Sequence, residues 1–390
     1  MDAWLAKLPP LDVAPRMGRL RQAMGEADQA ALLVTNLTNI RYLTGFSGSA
    51  GWLLLLEGEE VLLTDGRYTT QAHEELDRSG VGVRVEARRA AEQAELLKEL
   101  LVGTKSLGLE ADHVSWGTQR RWSDGWAEGL ELVPTLGLVE GLREKKSPSE
   151  VARISRAALI ADEALSRVGS LFHQALSESE LAVALDTEMR RLGSEGTAFE
   201  TIVAGGANAA KPHHKPSGRK VEPGEMVVVD FGARVDGYCS DMTRTIWVKG
   251  GVPPELREIY SVVLASQEAG LAAVRDGAPA GAVDRACREV VEAAGWGEQF
   301  VHGTGHGVGL DIHEPPALAA TSEDRLTCGH VVTVEPGIYV PGFGGVRIED
   351  TVAVEEGGCR ALTASPKHAP SESLGLQAPK DRREVLGADQ

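Results

Sequence analysis

The 390-residue chain is 42% hydrophobic and 25% charged, the make-up of a globular protein with more length than one core needs, so two domains are expected. A formal charge of −17, from 57 acidic against 40 basic residues, argues against nucleic acid as a partner, because polyanion binders rely on surplus Lys and Arg. Cys239, Cys287, Cys328 and Cys359 form no CxxC pair, and the opening MDAWLAKLPPLDVAPRM lacks a continuous apolar run, so no disulfide framework, zinc knuckle or secretory leader is expected and the cytoplasm is the expected location.

From residue 30 the text reads as short strands broken by turns: AALLVTN, the glycine-rich GFSGSAG, then WLLLLEGEEVLLTDGRY as a hairpin feeding a helix, TTQAHEELDRSG, that ends on Gly80. Trp52–Leu56 is far too short to span a bilayer, so no membrane partner is expected. Strand and helix segments alternate to about residue 135, which gives a smaller α/β N-terminal domain over residues 1–140. REKKSPSE clusters charge around Ser147 and Pro148, and a linker is placed at 141–149. A helical pattern, EVARISRAALIADEALSRVGSLF, follows, and Ser177 with Glu180 forms a capping box before a second helix. Two strand-turn-strand units with helices between them make residues 150–363 an α+β domain. The tail, 364–390, has three prolines and no periodicity, and is expected to be disordered.

Each of the two hairpins carries acids where a plain strand is apolar. With Asp236-Gly237 as the first turn, Asp230 falls opposite Thr243, and Asp241 lies two residues from Thr243 on the same face. Diagonal neighbours of this kind sit about 7 to 8 Å apart at the backbone, near enough for both acids to reach one cation. In the second hairpin, with PGFGG as the loop, Val340 opposes Val346, Glu335 opposes Thr351, and Glu349 shares that face. Any one such acid is more often a cap or an ion pair, but four together in low dielectric must neutralise or recruit cations, and cations are expected.

Between the hairpins runs VHGTGHGVGLDIHE, with His302, His306 and His313 among four glycines. Three imidazoles exceed what packing needs and suggest metal binding or proton transfer, and the glycines suggest close approach of backbone to a ligand or positive φ. The GxGxxG-like spacing opens no βαβ unit, so a dinucleotide site is discounted. A weaker cluster, AGGANAAKPHHKP, holds His213 and His214, and His214 reads as an exposed loop histidine.

With these residues in hand, the chain resembles the pita-bread metallopeptidase family that includes aminopeptidase P, prolidase and methionine aminopeptidase. The likeness rests on VVVDFGARVDGYCSDMTRT, HGTGHGVGLDIHE, TVEPGIY and GVRIED. It implies a ligand set of Asp230, Asp241, His306, Glu335 and Glu349 holding two divalent ions, with Asp241 and Glu349 touching both and a hydroxide between them. Oxygen-rich ligation with one imidazole suits Mn²⁺, with Co²⁺ or Zn²⁺ as rivals, and ions about 3.5 to 4 Å apart lower the pKa of a shared water and polarise the scissile carbonyl. The resemblance further implies that His213, His313 and a third histidine near the site, His302, are catalytic, that His213, His313 and Arg347 bind substrate, that Glu335 also moves a proton, and that Arg347 pairs with site carboxylates. NIRYLTGFSGSAG and LLTDGRYTTQA resemble the extra domain of the proline-specific members. The implied activity is Xaa-Pro aminopeptidase, on peptides with proline second, from a homodimer. Xaa-Pro dipeptidase is the alternative, and a non-catalytic peptide-binding member of the fold is a distant one.

Overall fold

A computed structural model describes residues 7–251 and 253–367. The described residues divide after Arg143 into two compact units, one of Pro10–Arg143 and one of residues 144–251 and 253–367 together with 7–9.

The first unit is built on a six-stranded sheet. Across it run Arg84–Ala87, Glu59–Thr64, Trp52–Leu56, Leu32–Val34, Ser106–Glu110 and Glu131–Thr135. The hairpin of Trp52–Leu56 and Glu59–Thr64 is antiparallel, as expected, and turns on Gly58 at φ 76°. The helix Thr69–Ser79 ends on Gly80 in the left-handed region. Leu33, Leu54, Val61, Leu63, Leu97 and Leu107 fill one side of the sheet as a buried cluster.

The second unit repeats one theme, a pair of helices against antiparallel strands. Pro148–Val168 starts on a capping box of Ser147 and Glu150, and Glu178–Arg191 on the expected box of Ser177 and Glu180. Their apolar faces share a core with the three-stranded sheet of Ile202–Gly205, Met226–Phe231 and Met242–Trp247. Pro254–Ala273 and Ala280–Ala293 pack likewise over a sheet ordered Glu314–Leu318, Gly305–Gly307, Val331–Val334, Asp350–Glu355 and Gly358–Ala361. Among the described residues no helix is long and apolar enough to cross a membrane.

The first acidic hairpin has the expected register: Thr243 pairs with Asp230, and Asp236 and Gly237 turn the chain with φ 48° and 82°. The second differs by two residues. Val340 pairs with Gly344 and Ile338 with Val346, because the loop is only residues 341–343. Thr333, not Glu335, therefore faces Thr351. A shift of two preserves strand parity, so the acids keep their common face.

The division after Arg143 falls inside the expected linker, 141–149, whereas the start of the tail is corrected. The segment 141–149, expected as a linker, carries the end of a helix, Glu140–Glu144, and the first turn of Pro148–Val168. Between them Lys146 is buried against Glu314 at 2.6 Å. The tail, expected to be disordered from 364, begins with an anchored stretch: the amides of Ala364 and Ser365 donate to Asp162, and Lys367 Nζ donates to Asp350. Residues 368–390 lie outside the described residues.

Candidate metal centre

The four acids and one histidine of the expected ligand set all line one cavity of about 430 Å³, inside the range of small-ligand sites. Asp230 is the last residue but one of the strand Met226–Phe231, and Asp241 precedes the strand Met242–Trp247. His306 is the middle residue of Gly305–Gly307, while Glu335 and Glu349 flank the ends of Val331–Val334 and Asp350–Glu355. Asp241, His306 and Glu349 can place one ligand atom each within 4.8 Å of the others.

His306 has a defined tautomer. Nδ1 lies 3.0 Å from the carbonyl of Gly307 and can only donate there, which leaves the lone pair of Nε2 facing Glu335 at 3.4 Å and Asp241 at 3.6 Å. Burial depresses its pKa to about 4, so the ring is neutral, as a ligand must be.

The carboxylates are under-satisfied. Among the described residues, Asp230 Oδ1, Asp241 Oδ1 and Glu349 Oε1 are buried without a hydrogen-bond donor. Burial, then the charges of their neighbours, holds the pKa of Asp241 and Glu349 well above the usual carboxylate range, and burial lifts Glu335 to about 8. A charged carboxylate is expensive in such surroundings, and divalent cations would relieve it. The orphaned oxygens and the O-rich, single-imidazole donor set therefore fit a divalent metal.

Threonines and one arginine orient the acids. Thr243 Oγ1 donates to Glu349 at 2.7 Å and accepts from Arg347 Nε at 3.1 Å. Arg347 also donates to Asp230 Oδ2 at 2.7 Å, to Tyr339 Oη at 2.8 Å and to the carbonyl of Pro212 at 3.2 Å. Thr333 Oγ1 donates to Glu335 at 3.3 Å and accepts from the amide of His306 at 3.1 Å.

The histidines divide into separate classes. His213 and His313 are exposed in the cavity lining, and the His313 ring packs edge-on against His306 with centroids 4.2 Å apart. His302 is engaged at both nitrogens: Nδ1 with the carbonyl of Gly303 at 2.7 Å, and Nε2 with Tyr339 Oη at 2.8 Å. Because Nδ1 must donate, Nε2 accepts the tyrosine proton, and burial lowers the ring's pKa to about 4. His214, expected as an exposed loop residue, is instead drawn inward to Glu178 at 2.9 Å.

Glu178 and Tyr339 are participants that sequence reasoning missed. Glu178 is fully buried at the start of its helix and accepts from the Gly205 and Ser217 amides, Asn208 and the Ser217 hydroxyl, which pins the loop carrying His213. The only signals available were an acid in the first turn of the helix and a tyrosine four residues past Glu335. The glycines of the histidine loop have another purpose than expected. Neither Gly305 nor Gly307 has positive φ, but a Cβ there would lie 2.1 Å from the Thr333 carbonyl and 2.2 Å from that of Pro315, so the bare backbone serves strand packing.

Residues 152–356 match the model of metallopeptidase family M24, and residues 16–145 match that of the creatinase/prolidase N-terminal domain. An Xaa-Pro dipeptidase structure from Bacillus anthracis is 40% identical with TM-score 0.85, covering 90% of this chain and 98% of its own. An X-Pro aminopeptidase structure from Thermotoga maritima is 34% identical with TM-score 0.80, covering 89% and 99%. An Xaa-Pro dipeptidase of Pyrococcus furiosus is 33% identical over 352 residues, 90% of this chain and 98% of that protein.

Proposed function

The chain belongs to metallopeptidase family M24, has the pita-bread fold of that family, and from that premise we propose that it is an Xaa-Pro peptidase in which Asp230, Asp241, His306, Glu335 and Glu349 hold two divalent ions. The observation that carries this reading is the set of buried, donor-less carboxylate oxygens gathered round the unprotonated nitrogen of His306. Manganese fits the donor set best, with cobalt and zinc as rivals. Bound there, the ions would supply Lewis acidity and a water made nucleophilic at neutral pH.

The chain's own residues account for the rest. His213 and His313, exposed in the cavity, are suited to donate to the scissile carbonyl oxygen as charge develops on it. Glu335, as a carboxylate in the cavity lining, is suited to take a proton from the attacking water and pass it to the departing proline nitrogen. Arg347 is spent on Asp230, Thr243 and Tyr339, so its part is to hold the acids in place rather than to bind substrate, which revises the substrate-binding part expected from the sequence. His302, with both nitrogens engaged, supports Tyr339 in the same way.

Both an Xaa-Pro aminopeptidase and Xaa-Pro dipeptidases stand among the similar proteins. The GFSGSAG and TDGRYTTQA segments favour the aminopeptidase reading. An Xaa-Pro bond has no N–H to grip, so recognition falls on ring shape and on the carbonyl. Assay of an Xaa-Pro dipeptide and an Xaa-Pro-Yaa tripeptide with Mn²⁺ tests the proposal, with alanine-for-proline analogues as controls. The analogues should lose at least about 100-fold in kcat/KM, about 2.7 kcal/mol of transition-state binding. A loss below about tenfold would replace proline specificity with a broad peptidase.

A further inference from the structure

Two residues of the cavity lining carry a permanent positive charge, Arg347 and Lys215. Arg347 is buried and committed to Asp230, Tyr339, Thr243 and the Pro212 carbonyl. Lys215 is different. Its side chain is 82% exposed, and it faces Glu200, itself 68% exposed and also in the lining, at 3.3 Å.

We propose that Lys215 is a specificity-determining residue that receives the free α-carboxylate of a substrate ending in proline, displacing Glu200, and so biases the enzyme toward dipeptides. This rests on the Xaa-Pro reading above and extends it to substrate length, against the preference for longer peptides drawn from the N-terminal segments.

Charge is the first argument. Five lining carboxylates, Glu200, Asp230, Asp241, Glu335 and Glu349, make the cavity hostile to an entering anion. Two divalent ions would offset the four carboxylates among the five proposed ligands, but at the scissile bond and not at the far end of the proline. A dipeptide brings its carboxylate one residue beyond that bond, where a separate cation is needed.

Reach is the second. Lys215 stands two residues after His213, a span of at most about 7 Å, and its four-carbon stem carries the ammonium further. If His213 meets the scissile carbonyl, Lys215 belongs at the proline's carboxyl end. The backbone between them is fixed, because His214 and Ser217 are both tied to buried Glu178. Exchange is the third argument. An exposed Lys–Glu pair is weak, so a substrate carboxylate can take the place of Glu200 at little cost. In a longer peptide the same position holds a neutral amide, which a point-charge ammonium does not favour.

The experiment uses the full chain loaded with Mn²⁺ and compares Ala-Pro with Ala-Pro-amide, which differ only in that terminal charge. Wild type should favour Ala-Pro by about two- to fivefold in kcat/KM, with the difference in KM. Lys215→Ala should bring that ratio near unity, Lys215→Arg should restore most of it, and Lys215→Glu should invert it. Glu200→Gln should lower the KM for Ala-Pro by removing the competitor. A wild-type ratio near unity, or a Lys215→Ala enzyme that keeps the wild-type ratio, overturns the inference while the Xaa-Pro reading stands. Cleavage of neither substrate by wild type overturns both.

Discussion

Glu349 and Asp350 are neighbours in the chain and almost equally buried, at 1% and 2% exposure, yet they behave as opposites. Successive residues of an extended strand face opposite ways. Glu349 looks into the cavity, where one oxygen has Thr243 and the other has no donor, and burial with neighbouring negative charge raises its pKa well above normal. Asp350 looks away. Burial alone would raise it too, but Arg244 and Lys367 outweigh burial and hold it at about 2, with Gln267 and Thr363 completing its shell. A buried acid is therefore not by itself a functional one. What marks the site is the acid whose hydrogen bonding the protein leaves unfinished.

That contrast predicts opposite responses to substitution. The largest effect should come from Glu349→Ala or Asp241→Ala, each proposed to touch both ions: hydrolysis should fall at least about a thousandfold, about 4 kcal/mol, with circular dichroism unchanged. Activity above a few per cent in a metal-loaded variant would sink the assignment. For Asp350→Asn the loss should appear in stability instead. Neutralising one partner strands Arg244 as a buried charge, and denaturant melts should show a cost of about 3 to 5 kcal/mol while the folded fraction still binds metal. A cost below about 1 kcal/mol would mean that the pair is replaceable by neutral contacts.

The pH response sharpens the comparison. A folded pKa of about 2 against an ordinary 3.8 means that Asp350 contributes stability at pH above about 4, lost as pH falls toward 2. The gap of nearly two units corresponds to about 2 kcal/mol, so the stability difference between wild type and Asp350→Asn should narrow by that amount on acidification. A constant difference would show that the charge is not what Asp350 contributes. The smallest effect has the opposite sign. With chelator present, Glu349→Gln should raise stability at pH 7 by about 1 to 2 kcal/mol, because it removes one of several crowded negative charges. A melting temperature below wild type would show that the empty site is not strained by charge.

The first hairpin was legible in the sequence to the residue, because a two-residue Asp-Gly turn with both φ values positive permits one register, and Asp230 does pair with Thr243. The second was legible only in parity. PGFGG offers several closures, the chain takes a three-residue loop, and Glu335 moves two places along. The site survived that error because faces depend on odd and even positions, not on loop length. The histidines were harder. Composition could gather His302, His306 and His313 but could not say that His302 has both nitrogens engaged, since its partner Tyr339 sits 37 residues away. The same blindness hid Glu178, whose ties to Gly205, Asn208, His214 and Ser217 are made only when the chain folds back on its helix. The anchored stretch 364–367 looked structureless because its partners, Asp162 and Asp350, are supplied by other elements.

The central claim is that the unfinished acids are completed by two divalent ions that make the chain an Xaa-Pro hydrolase. It is tested most directly by stripping the protein with chelator and restoring Mn²⁺ stepwise, with metal content by mass spectrometry and Ala-Pro hydrolysis measured on the same samples. The account predicts no turnover in the stripped protein, and recovery that completes at about two ions per chain. Full activity in a sample holding less than about one ion for every ten chains would contradict it.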